Sequence, residues 1–333
     1  MKIKDIYKEI YDYENLCNAF WKASKGKHNR KEVIKFKENF YKNIDVLKNQ
    51  IISKKLDIGN YRYFKVFDPK PRDICAASFP ERILHHAIMN HCEPILDKYA
   101  IDDSFACRKE KGTHRAIKRA QFFSRKNDWF LKMDIKKYFN SIDHYIALKL
   151  MSKLFKDPDL IILFQKILET YSITPGKGVP IGNLISQHLA NYYLGSFDHW
   201  IKEELKIKGY IRYMDDFIVF RKEKKQLKED LKLIEDFLLS RLELKLKENT
   251  ILNRCQHGIP FLGLRVFPYK VLLNQQSKKR FVIKFRAYER KFLNGVWDQD
   301  TLIRHMLPLV EFTKSADSGS FRQSIIDRFG VPS

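Results

Sequence analysis

The chain predicts an α+β fold, and three observations carry that expectation. Stretches of helical and of strand periodicity follow one another without regular βαβ alternation. There is no Gly-rich strand-to-helix turn of a dinucleotide fold, and no Walker loop. Carboxylates also stand at the ends of apolar strands. Asp134 closes Trp129-Phe-Leu-Lys-Met-Asp134, and Asp215-Asp216 occupy the turn between Tyr210-Ile-Arg-Tyr213 and Phe217-Ile-Val-Phe220.

The elements follow in order. Residues 1–56, rich in Lys and aromatics, predict helices. Residues 61–66 alternate like a strand, and Asp68-Pro-Lys-Pro-Arg72 predicts a turn that carries cations. Ile83, Leu84, Ala87, Ile88, His91 and Ile95 mark a helix over 80–99, and two more are expected at 141–154 and 159–171. Gly176, Gly178, Pro180 and Gly182 mark a loop. After it Leu189, Tyr193, Phe197 and Ile201 recur at i+4, the apolar face of one long helix. The hairpin at 210–220 comes next, then an amphipathic helix over 226–242. Phe261-Leu-Gly-Leu-Arg-Val-Phe267 is a candidate strand pair, and a basic helical tail runs from about 278 with a break at 315–320.

Composition narrows the partners. The chain has 333 residues, 44% of them hydrophobic, and a formal net charge of +23. That excess predicts a polyanion such as nucleic acid, because each neutralised phosphate releases counterions. Five scattered cysteines without a Cys-x-x-Cys pair predict reduced thiols and a cytoplasmic protein. The N-terminus lacks the apolar core of a signal peptide, and no apolar run reaches membrane-spanning length. His85-His86 and His91-Cys92 do not bring four ligands together on a helix, which argues against zinc. Paired acidic residues on a tight turn, with a third carboxylate at another strand end, suit hard divalent cations. They fit a two-metal phosphoryl-transfer centre.

Taken together, Phe130-Leu-Lys-Met-Asp134-Ile-Lys-Lys-Tyr-Phe139, Gly178-Val-Pro-Ile-Gly182-Asn-Leu-Ile-Ser186-Gln187, Tyr213-Met-Asp-Asp216 and Phe261-Leu-Gly263 resemble reverse transcriptases in order and spacing. Lys70-Pro-Arg72 and Asp103-Ser-Phe-Ala-Cys-Arg108 resemble fingers segments of the bacterial members. The resemblance covers about residues 60–270. It implies a right-hand polymerase fold with fingers and N-terminal helices at 1–128, palm at 129–145 and 178–267, intervening helices at 146–177 and thumb at 268–333.

The resemblance also implies roles. Asp134, Asp215 and Asp216 are the implied catalytic carboxylates, and with Ile135 they form the site for two Mg²⁺ ions. Lys70, Arg72, Phe139, Ile181 and Gln187 are the implied nucleotide-binding residues, with Phe139 as the ring that would clash with a ribose 2′-OH. Phe261, Leu262 and Gly263 resemble the primer grip. Lys245 or Lys247 would serve where the family often carries a lysine after the hairpin. The implied activity is RNA-templated DNA synthesis, with an RNA template, a DNA or RNA primer and dNTPs as partners. Ile181 stands where group II intron and retroviral enzymes have Gln. Ser186-Gln187 followed by Ala190-Asn191 is similar to diversity-generating retroelement enzymes, and to some antiphage-defence reverse transcriptases. These subclasses imply a structured noncoding RNA and either a small helical accessory protein or a homo-oligomer. An idle RNA-binding scaffold and an RNA-templated RNA polymerase are the competing readings. The three retained carboxylates argue against the first, and Phe139 against the second.

Overall fold

The computed structural model describes residues 5–67 and 71–330; Lys70 lies outside them. Four helices open the chain: α1 (Ile6–Ile10), α2 (Tyr13–Ser24), α3 (Lys31–Glu38) and α4 (Phe40–Ile52). An antiparallel pair follows, β1 (Arg62–Phe67) with β2 (Pro71–Ala76), then α5 (Phe79–Tyr99) and α6 (Gly112–Lys126). Strand β3 (Trp129–Asp134) leads into α7 (Tyr138–Ser141), α8 (His144–Leu154), α9 (Pro158–Glu169), α10 (Leu184–Tyr193) and α11 (Gly195–His199). A π-turn at Trp200–Glu204 precedes β4 (Tyr210–Tyr213), β5 (Asp216–Arg221) and α12 (Lys224–Leu242). Strands β6 (Ile251–Arg254), β7 (Ile259–Phe261), β8 (Leu264–Val266) and β9 (Val271–Leu273) come before α13 (Gln275–Leu293), α14 (Gln299–Lys314) and α15 (Gly319–Phe329).

Local chemistry sets many of these boundaries. Asp12, Ser78, Asp143, Asp157 and Asn274 each accept a first-turn amide at the start of α2, α5, α8, α9 and α13. Pro80 and Pro158 sit in first turns, where a missing N–H costs nothing.

The structure departs from expectation at several points. Arg72 lies in β2, opposite Val66, instead of in a turn. All six residues of β1 are exposed, so its alternation reflects no buried face. The expected long helix over 189–201 is segmented into α10, α11 and the π-turn. Its stripe Leu189, Tyr193, Phe197 and Ile201 is nevertheless buried throughout. Strand β9 extends the expected pair to three strands, and α6 and β6 are further elements that were not among those expected from the sequence.

The chain forms two compact units, each drawn from three stretches. The first comprises Met1–Arg108, Asp134–Lys206 and Lys232–Glu248. Its helical part packs Leu16 and Phe20 of α2 with Ile83, Ala87 and Ile88 of α5. The Phe20 ring meets Phe36, Phe40 and Phe79. Each of the buried Leu, Ile and Phe side chains among them contributes about 1.5–3 kcal/mol.

The second unit comprises Lys109–Met133, Ile207–Leu231 and Asn249–Ser333. Its four-stranded sheet has the order β4-β5-β3-β6, with β4/β5 and β3/β6 antiparallel. Phe130, Phe217 and Phe220 are buried in it, and Phe123 of α6 packs on Phe220. A three-stranded sheet β7-β8-β9 follows, and Phe281, Phe285 and Ile325 form the core of the terminal helices.

Candidate active site

The hairpin of the second unit is a two-residue turn. Tyr213 pairs with Asp216, which leaves Met214 and Asp215 at its tip. Met214 has φ 59°, a left-handed conformation that costs a non-glycine residue about 1–2 kcal/mol. Strain of this kind persists where the surroundings enforce it. Here the enforcing group is Arg212, fully buried (0% exposed), whose Nη1 donates to the Met214 carbonyl at 3.0 Å. Tyr213 is tied to α6 through its hydroxyl, 3.3 Å from Thr113 Oγ1. A Cβ at Gly209 would lie 2.8 Å from both Cβ and the carbonyl oxygen of Phe220, so only glycine lets β4 enter the hairpin this closely. On the neighbouring strand β3, Lys132 Nζ lies 2.6 Å from Asp216 Oδ1, both side chains being at most one-fifth exposed.

In the first unit, Asp134 begins a short backbone ladder. Lys247 N donates to the Asp134 carbonyl and Lys136 N to that of Lys245, each at 2.8 Å, while Ile135 bridges Leu246. The ladder brings the Lys247 ammonium onto Asp134 Oδ1 as an ion pair. The Ile135 side chain is buried in the core, so only its backbone can face a ligand.

The remaining expected residues of this unit converge on one loop. The Phe139 carbonyl accepts Val179 N at 2.9 Å, and Gly178 N donates to the Ile142 carbonyl at 2.8 Å. The Ile181 carbonyl accepts Cys75 N at 2.8 Å, which docks the loop on β2, the strand that carries Arg72. Gly182 makes this approach feasible: its φ is 114°, and a Cβ there would stand 2.7 Å from Ile74. Ile181 and Phe139 are half-buried. Gln187 lies on α10 with its Oε1 3.7 Å from Cys107 Sγ. The structure therefore brings Arg72's strand, the Phe139 backbone and Ile181 onto one loop system, and Gln187 onto the helix that follows it.

The expected primer grip is a hairpin in the second unit. Phe261 is buried, and Leu262 and Gly263 have φ 49° and 82°, the signature of a type I′ turn. The Gly263 carbonyl accepts Ser277 Oγ at 2.7 Å, which ties the turn to α13.

Two residues with clear structural parts were not singled out from the sequence, Lys132 and Arg212. Lys132 had a legible signal, since it stands two residues before Asp134 and strand alternation places both on one face. Arg212 had a weaker one, a charged residue inside an apolar strand.

The donor set fits a hard cation. Asp134, Asp215 and Asp216 offer oxygen ligands, as Mg²⁺ prefers, and two of the three carboxylates already attract ammonium groups. Among the described residues, no three His, Cys, Asp or Glu side chains form a ready-made metal cage.

With this geometry in place, the relatives can be named. A family model described as reverse transcriptase (RNA-dependent DNA polymerase) matches residues 65–266. The chain belongs to that family. It is 26% identical over 172 residues to Protein YkfC of Escherichia coli (strain K12), covering 46% of this chain and 45% of that protein. It is 29% identical over 150 residues to the group II intron-encoded protein LtrA of Lactococcus lactis subsp. cremoris, covering 42% of this chain and 24% of LtrA. The chain thus spans less than half the length of these curated relatives. Among solved structures, apo telomerase from Candida tropicalis aligns with a TM-score of 0.50 at 13% identity, over 83% of this chain and 60% of that one. A likeness at that identity concerns the fold alone, and it supports the right-hand polymerase architecture.

Proposed function

We propose that this reverse transcriptase family member copies RNA into DNA, with Asp134, Asp215 and Asp216 as its catalytic carboxylates. The observation that carries the reading is the hairpin at 213–216, strained at Met214 and held by buried Arg212, beside the strand that ends in Asp134. Lys132 meets Asp216, and alternation along β3 puts Asp134 on the same face as Lys132. The three carboxylates would hold Mg²⁺, which when bound supplies Lewis-acid stabilisation of the attacking and leaving oxygens. The protein's own part is to fix the strand end and hairpin in place, to clamp the triphosphate with Arg72 and Lys70, and to hold the nascent pair against Ile181 and Phe139. RNA template, primer and dNTPs are the proposed partners.

Primer extension tests this. Asp134→Asn and Asp215→Asn keep volume while removing charge, and either should cut DNA synthesis on the order of a thousandfold while RNA binding persists. Retained synthesis in either variant sinks the assignment.

Within this activity we propose an error-prone enzyme of the diversity-generating retroelement type, supported by Ile181 in place of an amide. The Ile181 backbone is fixed by Cys75 N, so its side chain is held in a defined place. An alkyl group cannot report hydrogen-bond geometry, which is worth about 1 kcal/mol per modest polar contact. Ile181→Gln should lower misinsertion severalfold, most visibly at template adenines. Sequencing cDNA from one mixed RNA template measures it. Accurate copying by the wild type would favour an antiphage-defence role instead.

A further inference from the structure

A groove in the first unit, lined by none of the residues assigned to polymerisation, has the chemistry of a second nucleic-acid site. It encloses a cavity of about 470 Å³ between α8, the π-turn and α12, within the roughly 300–1,000 Å³ of sites that take small ligands. Its floor is aromatic: Trp200 and Phe237 stack at 4.4 Å with an interplanar angle of 25°. One wall is the face of α8 on which Tyr145, Lys149 and Lys153 recur at i, i+4 and i+8, successive side chains about 6 Å apart along the axis. Tyr145 is 73% exposed, with the Lys149 ammonium 6.0 Å from its ring centroid. Arg241 of α12 also lines the groove, and the only carboxylate among the lining residues is that of Glu204.

We propose that this groove binds a single-stranded segment of RNA outside the templating stretch. The inference rests on the reading of the chain as an RNA-copying enzyme. Three cations against one carboxylate in the lining favour a polyanion. Aromatic faces interleaved with those cations favour bases stacked beside their own phosphates, a sequence-tolerant mode worth about 1–3 kcal/mol per stacked base. An acidic helix from a protein partner would match the charge but would leave Tyr145 and the ring floor without a specific use.

The test uses the full chain and a ten-nucleotide oligouridylate carrying 4-thiouridine. Saturating poly(rC)·oligo(dG), to which the oligouridylate does not anneal, occupies the template–primer site during irradiation. Cross-links should map to the peptides holding Tyr145, Trp200 and Phe237. The triple variant Lys149→Gln, Lys153→Gln, Arg241→Gln should lose them, and Tyr145→Ala should weaken them, with thermal melting confirming that both variants fold. Loss of three phosphate contacts should lower the slope of log affinity against log salt by about 2, at ~0.7 per phosphate on a single strand. Extension of poly(rA)·oligo(dT) should stay within about twofold of wild type, and that same assay reports separately if the polymerase reading itself fails. Cross-links confined to other surfaces, or an unchanged salt slope in the triple variant, would overturn the proposal. Displacement of the oligouridylate by a ten-residue polyglutamate at equal charge would overturn it too, and would assign the groove to an acidic protein segment.

Discussion

Two lysines set the electrostatics at the residue scale. Lys132 lies on Asp216 and Lys247 on Asp134, so two of the three carboxylates carry a nearby positive charge before any cation binds. Each ammonium offsets the charge of the carboxylate it meets, so the strand end and the hairpin each tolerate their charge in a folded protein. The Lys247–Asp134 contact distinguishes by position the two lysines that the sequence left open. Backbone pairing through Leu246 aligns Lys247, not Lys245, with Asp134. Lys247→Leu should therefore cut the rate of nucleotide incorporation by about a hundredfold or more, the usual worth of a positioned proton donor. Lys245→Leu should change it less than about threefold. Single-turnover incorporation measures both, and equal losses would show that Lys247 has no special place. The candidate carboxylates stood out in the sequence because acidic residues in apolar strands have few structural uses. Their partners were not, because a lysine in a basic chain looks like every other lysine until the strand register is known.

At the element scale, the sequence announced what periodicity announces. The buried stripe over 189–201 was legible, but its division into α10, α11 and a π-turn was not, since i+4 spacing persists through a local change of helix type. Arg72 was misplaced because Pro69 and Pro71 mark a turn, whereas an edge strand also accepts proline. Helix α5 holds a consequence invisible in the pattern. His85 and Glu81, four residues apart, are both buried, with His85 Nε2 3.6 Å from Glu81 Oε1. That spacing suggests an ion pair, but burial acts against charge on both. It pushes the His85 imidazole down to about 3 and the Glu81 carboxyl up from its usual range. Burial thus disfavours charge on both, while the Gly59 amide, donating to Glu81 at 3.0 Å, opposes part of the rise on Glu81. The sign follows for His85. Between its ordinary value of 6.5 and about 3, the unfolded chain binds a proton that the folded chain refuses. Stability should therefore fall as pH drops below 6.5, by at most about 1.4 kcal/mol per pH unit. Glu81 acts in the opposite sense, since stability from its retained proton is lost as pH rises through its elevated value. Urea unfolding at pH 7 and pH 5 should show a loss for wild type that His85→Gln largely removes. An equal loss in the variant would place the acid sensitivity elsewhere.

At the scale of the whole molecule, charge is the dominant statement. If every carboxylate took one cation, the formal balance of +23 would still remain. Many acids are in fact engaged locally, as in Arg108–Asp97, Lys202–Asp103 and Arg221–Asp230. The excess is concentrated in places such as α13, where Lys278, Lys279, Arg280, Lys284, Arg286, Arg290 and Lys291 surround the inward Phe281 and Phe285. A helix built this way presents cations because its apolar face is committed to its own core. Such a surface binds a phosphate backbone without reading sequence, so affinity should come mainly from released counterions. With six to ten phosphates contacted, affinity for an RNA–DNA template–primer should fall by about 10³–10⁵ between 50 and 200 mM salt. Fluorescence anisotropy over that range measures the slope. Replacing Lys284, Arg286 and Lys291 with Gln should reduce it by about one unit per lost contact, with no change in which sequences are preferred. A slope that is flat in the wild type would mean that the excess charge meets no backbone, and that the chain holds its template by shape and stacking.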